Sequence, residues 1–416
     1  MSNMEYLKSK PIAVIGGGAV GKTIAVDCKL GVGDSQEVRL FDAMPFAAQT
    51  LKNLEKTGLN LVGPQTNRDG FYRGGKAYLD MVTSDMAEAV KGAGIIVVAM
   101  GAYGHEPTFK NLAPLLEDGQ VIHIFTDNYG TLLLRKIMRE MGVKADVIIG
   151  SWSSAPYGTR VKMMGKVMYP EVRASYRAIT LRGASLPMKD WDKFVESSKY
   201  LPCMDAVTQG EGPAKGNTVL DIGFSNINPV IHVPASLLGV STMENWGVIF
   251  GGYDHKTYSM YSHGLCPSIC EVQYQFYQEE IAIAKAIGVD VPTYKYESFF
   301  SRRSILTQEY MGLDENGNDN VVFPLNEPTD QGNVGPDSIH HRYITEDVPV
   351  GCKMYHDLGV AYGVQTPIID AMITIAGAMH KKSFFETSKY SLAYVGIDNM
   401  SKEELLAYLN EGVYNK

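Results

Sequence analysis

The sequence predicts an α/β fold, with a doubly wound parallel sheet over residues 1–200 followed by an all-α C-terminal half over 201–416. Three observations predict it. Between Pro11 and Gly150, short apolar runs alternate with segments of helical periodicity, the pattern of βαβ units around a parallel sheet. A glycine-rich turn, Gly16 to Gly21, joins the first of these strands to the first helix. From Asn217 onward the chain reads as mostly helical.

Composition narrows the function classes. A chain of 416 residues can carry two domains, and 45% hydrophobic with 20% charged residues is ordinary for a globular protein. A net charge of −8 argues against a nucleic-acid partner. No run approaches the ~18 apolar residues of a membrane span, and no apolar segment precedes the first strand, so neither membrane insertion nor a signal peptide is expected. Five cysteines, an odd number, suggest reduced thiols and a cytoplasmic location. Cys266 and Cys270 lie near His263, but no second Cys/His pair at zinc spacing accompanies them, so no metal site is expected.

The first strand, Pro11 to Ile15, leads into Gly16-Gly17-Gly18-Ala19-Val20-Gly21, which fits G-x-G-x-x-G. The first glycine permits the tight turn and the second lets backbone approach a pyrophosphate. The third brings helix and strand close, and the helix N-terminus faces the anion with free N–H groups. Gly16 to Thr23 also satisfies G-x-x-x-x-G-K-T, the pattern of nucleoside triphosphate hydrolases. Context favours the dinucleotide, because the second strand, Val38 to Phe41, ends in Asp42, where a carboxylate would hold ribose hydroxyls. Expected cofactor-binding residues are Gly16, Gly18, Ala19, Val20, Gly21 and Asp42. Asp42 would repel a 2′-phosphate and no Arg or Lys follows before Lys52, so the cofactor is expected to be NAD(H) rather than NADP(H).

Beyond Asp42, a helix is expected from Pro45 through Leu54, strands over Tyr72 to Val82, and a helix capped by Ser84. The strand Ile95 to Met100 ends in the loop Gly101 to Pro107, at the edge where such sheets bind ligands. Gly101 and His105 therefore join the cofactor candidates. Further strands are expected at Gln120–Phe125 and Val147–Gly150, with a helix over Thr131–Met141 between them. Residues 160–187 read as strands that extend this sheet or bridge onward. Helices follow at Pro267–Ile287, Val350–Tyr362 and Pro367–Met379, and Ser401 with Glu404 forms a capping box. The polar stretch Ser301 to His341 has the length of a functional loop, and a partial lid is one reading of it. Within it DENGNDN, Asp314 to Asn320, lacks the glycine and the bidentate glutamate of a calcium loop.

Two segments stand out against the helical background. Asn226 to Leu238, NINPVIHVPASLL, sets His232 between two prolines, and histidine exchanges protons near neutral pH. A satisfied core histidine is the alternative. His341 to Pro349, HRYITEDVP, places Arg342, Glu346 and Asp347 before a helix. Arg342 can grip a carboxylate through two parallel hydrogen bonds. Asp347 can equally be a helix-start residue set against the dipole.

A Rossmann domain followed by a helical domain carrying NPVIHxPxxLL and RYxxEDVP resembles the octopine/nopaline (opine) dehydrogenase family. APYGTR (Ala155 to Arg160), the helix following Leu265, and GVQTPIIDAM (Gly363 to Met372) extend the resemblance over nearly the whole chain. The resemblance implies a catalytic His232–Asp347 pair and Arg342 on the substrate carboxylate, with Asn228, Tyr157 and Arg160 as further substrate contacts. It also implies the reaction: an amino acid and a 2-oxo acid such as pyruvate condense to an imine, which NADH reduces to an N-(1-carboxyalkyl) amino acid. The expected partners are those two small molecules, with a homodimer left open. The sequence departs from the family's pattern at Trp152 and Ser153, where an acid usually precedes P-Y-x-x-R, and in the long 301–341 insert. The alternatives are a 2-oxo acid or 2-dehydropantoate-type reductase of similar plan, a P-loop nucleotide hydrolase, and a non-catalytic dinucleotide sensor.

Overall fold

The computed structural model describes residues 4–63, 73–164, 167–249, 257–300 and 335–414. The chain forms two compact units, residues 1–222 with 407–416, and residues 223–406. The calcium-like DENGNDN segment and nearly all of the 301–341 insert lie outside the described residues.

The described residues of the first unit carry twelve strands: β1 (Ile12–Ile15), β2 (Val38–Phe41), β3 (Leu59–Val62), β4 (Gly75–Ala77), β5 (Met81–Thr83), β6 (Ile95–Val98), β7 (Val121–Phe125), β8 (Ile148–Trp152), β9 (Tyr157–Met164), β10 (Val167–Arg177), β11 (Thr180–Ser185) and β12 (Gly212–Lys215). Eight of them form the main sheet in the order β12-β11-β8-β7-β6-β1-β2-β5, parallel except where β11 meets β8. Every residue of β1 and β6 is fully buried, which is why these strands read as continuous apolar runs rather than alternating ones. Of the strands expected over 160–187, β11 extends that sheet, whereas β9 and β10 pair in a second sheet of order β4-β3-β10-β9.

Three helices of this unit bear on the site: α1 (Ala19–Val32), α2 (His105–Leu112) and α3 (Gly130–Glu140). The helix expected from Pro45 through Leu54 is instead two single turns, Ala47–Thr50 and Leu54–Thr57. Asn53 between them is left-handed, φ 60°, which a continuing helix cannot accommodate. The cap expected of Ser84 is made one residue later by Asp85, whose carboxylate accepts from the Ala87 and Glu88 N–H groups.

The unit boundary falls later than the change of pattern near residue 200 suggests. β12 pairs in parallel register with β11, keeping residues up to 222 with the first unit. The C-terminal residues return to it: Lys189 donates to the Glu411 carbonyl at 2.8 Å, and the Arg139 guanidinium lies 3.4 Å from the Tyr414 ring centre.

The second unit is helical. Among its described residues the only β interaction is an isolated bridge between Ser259 and Gly335. Its main helices are α4 (Ile227–Leu238), α5 (Pro267–Ile287), α6 (Arg342–Thr345), α7 (Lys353–Tyr362) and α8 (Pro367–His380). Proline at N1 starts α5 and α8, where its missing N–H costs nothing, and left-handed Gly288 ends α5. Glu279 of α5 accepts from the Ile368 and Ile369 N–H groups, so a carboxylate satisfies the orphan donors at the start of α8. The expected helix from Val350 begins instead as a π-turn, Val348–Cys352, running into α7. Ser401 and Glu404 make the reciprocal capping box.

Candidate active site

In the first unit, the turn between β1 and α1 admits little but glycine at two positions. Gly16 has φ +115°, and a Cβ there would stand 2.4 Å from the Ala99 carbonyl at the end of β6. A Cβ on Gly21 would stand 1.8 Å from the Gly16 carbonyl. A Cβ on Gly18, by contrast, meets nothing within 4 Å, so space is open where the first turn of α1, with Ala19 and Val20, offers N–H groups lacking intrahelical acceptors. Asp42 closes β2 beside this turn, its Oδ2 2.9 Å from where a Gly17 Cβ would sit. Thr50 Oγ1 donates to that same oxygen at 2.6 Å, while Oδ1 accepts from the Ala43 N–H at 3.0 Å. The cradle therefore suits a pyrophosphate followed by a ribose diol.

Lys22, the residue that made the turn look like a nucleotide hydrolase loop, is fully buried and donates to the Gly17 carbonyl. Burial lowers its ammonium to about 8, with Asp42 pulling it back up. Its Nζ is committed to shaping the turn rather than to a terminal phosphate, which weighs against the hydrolase alternative.

Gly101 is exposed at the β6 edge, starting the turn Ala102–Gly104. His105 does not lie in that loop. It is the first residue of α2, 1% exposed, stacked on Phe109, and burial lowers its imidazole to about 4. The helix begins two residues before Pro107, at the first turn where proline is tolerated, and this carries His105 into the core rather than toward a ligand. Tyr157 is also committed inward. Its hydroxyl donates to Asp27 Oδ2 of α1 at 2.6 Å, and Arg177 grips both oxygens of the same carboxylate at 2.7 and 2.8 Å. Arg160 is exposed and bonds the Thr159 carbonyl. Trp152 and Ser153 are buried, Trp152 among His123, Phe125 and Phe194.

The second unit assembles a different cluster. α4 starts at Asn226, whose side chain accepts from the Asn228 N–H. Pro234 within α4 removes one helical hydrogen bond and crowds the preceding turn, and Gln273 of α5 donates to the Ile231 carbonyl there at 3.0 Å. His232 lies on that turn, 6% exposed, and Asn228 precedes it by one turn on the same face. His232 Nδ1 stands 2.8 Å from Asp347 Oδ2, and Asp347 is 7% exposed. His232 Nε2 stands 2.8 Å from the Tyr261 hydroxyl, and the Tyr343 ring stacks on the imidazole at 3.6 Å. The carboxylate accepts the Nδ1–H, leaving Nε2 as the atom that exchanges protons.

Arg342 begins α6, four residues before Glu346, whose buried Oε2 accepts from its Nε at 3.1 Å. The Arg342 side chain is 62% exposed, so Glu346 aims a guanidinium whose other nitrogens face outward. His341 caps α6 by accepting from the Tyr343 N–H, its own basicity lowered by burial and then by the charges of His232 and Arg342. One short segment thus supplies an exposed guanidinium, an aromatic wall and the histidine's carboxylate.

Residues 215–380 match the family model described as NAD/NADP octopine/nopaline dehydrogenase, alpha-helical domain, and both His232 and Asp347 fall within it. That helical domain belongs to the octopine/nopaline dehydrogenase family. An opine dehydrogenase of Arthrobacter sp. (strain 1C) is 27% identical over 400 residues, covering 95% of this chain and 97% of that protein. A tauropine dehydrogenase of Arabella iricolor is 24% identical over 403 residues, covering 91% and 94%. Octopine dehydrogenase solved with NADH and L-arginine superposes with a TM-score of 0.68 at 19% identity, covering 98% and 99%. This likeness shows the shared opine dehydrogenase fold, a Rossmann-like sheet followed by a helical domain.

Sequence reasoning missed Tyr261, Tyr343 and Thr50. Tyr343 stands inside the HRYITEDVP segment, and its place beside Arg342 is a signal that the sequence does offer. Tyr261 and Thr50 carry none, since each meets its partner through a turn whose path the sequence pattern does not reveal.

Proposed function

We propose that this protein catalyses the NADH-dependent reductive condensation of an amino acid with a 2-oxo acid, pyruvate being the simplest, and the reverse oxidation. The observation that carries this reading is the buried His232–Asp347 pair, whose carboxylate lies on the same short segment as the exposed guanidinium of Arg342, within a helical domain of the opine dehydrogenase family. The reduced nicotinamide, when bound, supplies the hydride. The turn Gly16 to Gly21 and the first turn of α1 would hold its pyrophosphate, and Asp42 its adenosine ribose.

The chain's own residues account for the remaining chemistry. Arg342, aimed by Glu346, binds the oxo-acid carboxylate through two parallel hydrogen bonds and so fixes the orientation of the adjacent carbonyl. His232 releases a proton from Nε2 for that oxygen as the amine adds, takes one back from the ammonium nitrogen so formed, and releases it again as the carbinolamine loses water to leave the protonated imine. Asp347 holds the ring orientation throughout and offsets the positive charge of the imidazolium. Asp42 favours NAD(H) over NADP(H), because its carboxylate accepts from a 2′-hydroxyl and repels a 2′-phosphate. No helix among the described residues is long and apolar enough to cross a membrane, and all five cysteines are free, which supports a cytoplasmic enzyme.

The test is NADH oxidation with amino acids screened against pyruvate and other 2-oxo acids. Turnover requiring both partners supports the reading. Turnover with the oxo acid alone, yielding a hydroxy acid, would favour the reductase alternative.

A further inference from the structure

We propose that the Tyr261 hydroxyl is a further catalytic group, relaying the proton between His232 Nε2 and the substrate oxygen that departs as water. The inference rests on the condensation reading above. His232 has two ring nitrogens and both are engaged: Nδ1 by Asp347 and Nε2 by Tyr261, each at 2.8 Å. One face of the imidazole is covered by Tyr343 at 3.6 Å, and only 6% of the residue is exposed. A proton leaving Nε2 therefore meets the tyrosine oxygen first.

Tyr261 is held in this position rather than resting there. It belongs to the π-turn Met260–Gly264, a local geometry that recurs at functional sites. The turn is anchored at several points. Met260 N–H donates to the Gly335 carbonyl at 2.9 Å, and His263 Nδ1 accepts from the Ser259 N–H at 2.9 Å. Ser236 of α4 donates to Met260 Sδ at 3.4 Å, tying the turn to the helix that carries His232. Tyr261 itself is half-buried, so its hydroxyl stands between the buried imidazole and the more open surroundings.

The step balances without a further reactant. The imidazolium Nε2–H bond breaks as a new O–H bond forms on Tyr261, while the original Tyr261 O–H bond breaks and its proton passes to the carbinolamine hydroxyl. Water leaves, the protonated imine remains, the tyrosine is again an intact phenol, and only the now neutral histidine awaits a proton. A phenol can do this while staying neutral overall, because it accepts one proton as it gives the other.

The experiment compares wild type with Tyr261→Phe, which keeps the ring and removes the hydroxyl. Single-turnover NADH oxidation is followed with the amine–oxo acid pair found by screening, in mixtures of light and heavy water. The variant should lose about 10²-fold in rate, with KM for the oxo acid within about threefold. The dependence on deuterium fraction, bowed in wild type because two protons move together, should become linear. The ¹⁵N shift of His232 Nε2 in the ligand-free protein should also move toward that of an acceptor without a donor. Rates within about threefold of wild type, or a faster variant, would show that Tyr261 only screens the ring, and unchanged curvature or an unchanged ¹⁵N shift would equally overturn the relay. A wild type silent toward every amine–oxo acid pair would instead overturn the condensation reading and the relay with it.

Discussion

His232 Nδ1 and Asp347 Oδ2 meet at 2.8 Å across 115 residues of chain, each residue less than a tenth exposed. A buried histidine facing a buried carboxylate is held in one tautomer, with Nε2, against the Tyr261 hydroxyl, left as the acid–base atom. Replacing His232 by Asn should lower kcat by about 10²–10⁴-fold, the usual worth of a positioned acid–base group, with NADH affinity, read by fluorescence titration, nearly intact. Asp347→Asn should lower kcat in the same direction by misorienting the ring. A His232→Asn variant keeping more than about a tenth of wild-type activity would reduce His232 to a core residue. His105 could not then replace it, being buried in the other unit's core.

The Arg342 side chain is 62% exposed and its Nε is held by Glu346. Arg342→Lys keeps the charge but loses the planar fork, so KM for the 2-oxo acid should rise at least about tenfold while Tm stays near wild type. Arg342→Ala should lower Tm more than Arg342→Lys, since it takes this partner from the buried Glu346 carboxylate. An unchanged KM in Arg342→Lys would dismiss the clamp and send the search for the anion site to Arg160.

Legibility followed the range of the interactions. The order strand, turn, helix, strand was readable because burial on both faces writes continuous apolar runs, as in Ile12–Ile15 and Ile95–Val98. The positions of His232, Arg342 and Asp347 were readable because each sits in a dense local motif. What escaped depends on partners distant in the chain. The hydroxyl of Tyr157 sits in a motif that suggests substrate contact, yet Asp27, 130 residues away, claims it. The helix break at Asn53 depends on a left-handed residue that no apolar period marks. β12 is a four-residue edge strand containing Pro213, which sequence alone reads as loop.

Tyr157 should accordingly matter more to stability than to substrate. Tyr157→Phe removes a buried hydrogen bond to the Asp27 carboxylate, which also receives Arg177 and Arg73. The expected loss is about 1.5–3 kcal/mol in denaturant unfolding, with KM for both substrates unchanged. A raised KM for the amino donor at wild-type stability would return Tyr157 to the substrate site.

Asp42 should set cofactor choice, and Thr50 should sharpen it by fixing Asp42 Oδ2 at 2.6 Å. Asp42→Ser should lower kcat/KM with NADH by about tenfold or more and narrow the preference over NADPH, the removed carboxylate being both hydrogen-bond acceptor and repelling charge. Thr50→Ala should shift the same ratio by less. A wild type equally efficient with NADPH, or an Asp42→Ser variant with unchanged preference, would remove Asp42 from the ribose site.

The first unit should weaken in acid through its buried histidines. Burial lowers His105 to about 4 and His123 to about 3, both below the ordinary 6.5. As pH falls from about 6.5, the unfolded chain takes up these protons first, so the unfolded state gains and the folded state is destabilised. The stability is fully present above 6.5 and is lost progressively toward 4, with a limiting slope of about 1.4 kcal/mol per pH unit for each histidine. Asp127 acts in the opposite sense, since burial raises its carboxyl and favours folding in acid. The histidine effect must therefore be isolated by difference. His105→Gln removes the titration but keeps a donor for the Met100 carbonyl, which accepts from His105 in the wild type. Between pH 6.5 and 4.5 its unfolding free energy should fall less steeply than the wild type's, by up to about 1 kcal/mol per pH unit. Parallel slopes would mean that His105 takes up its proton as readily in the folded protein as in the unfolded one, which its burial against Phe109 and Gly130 does not permit.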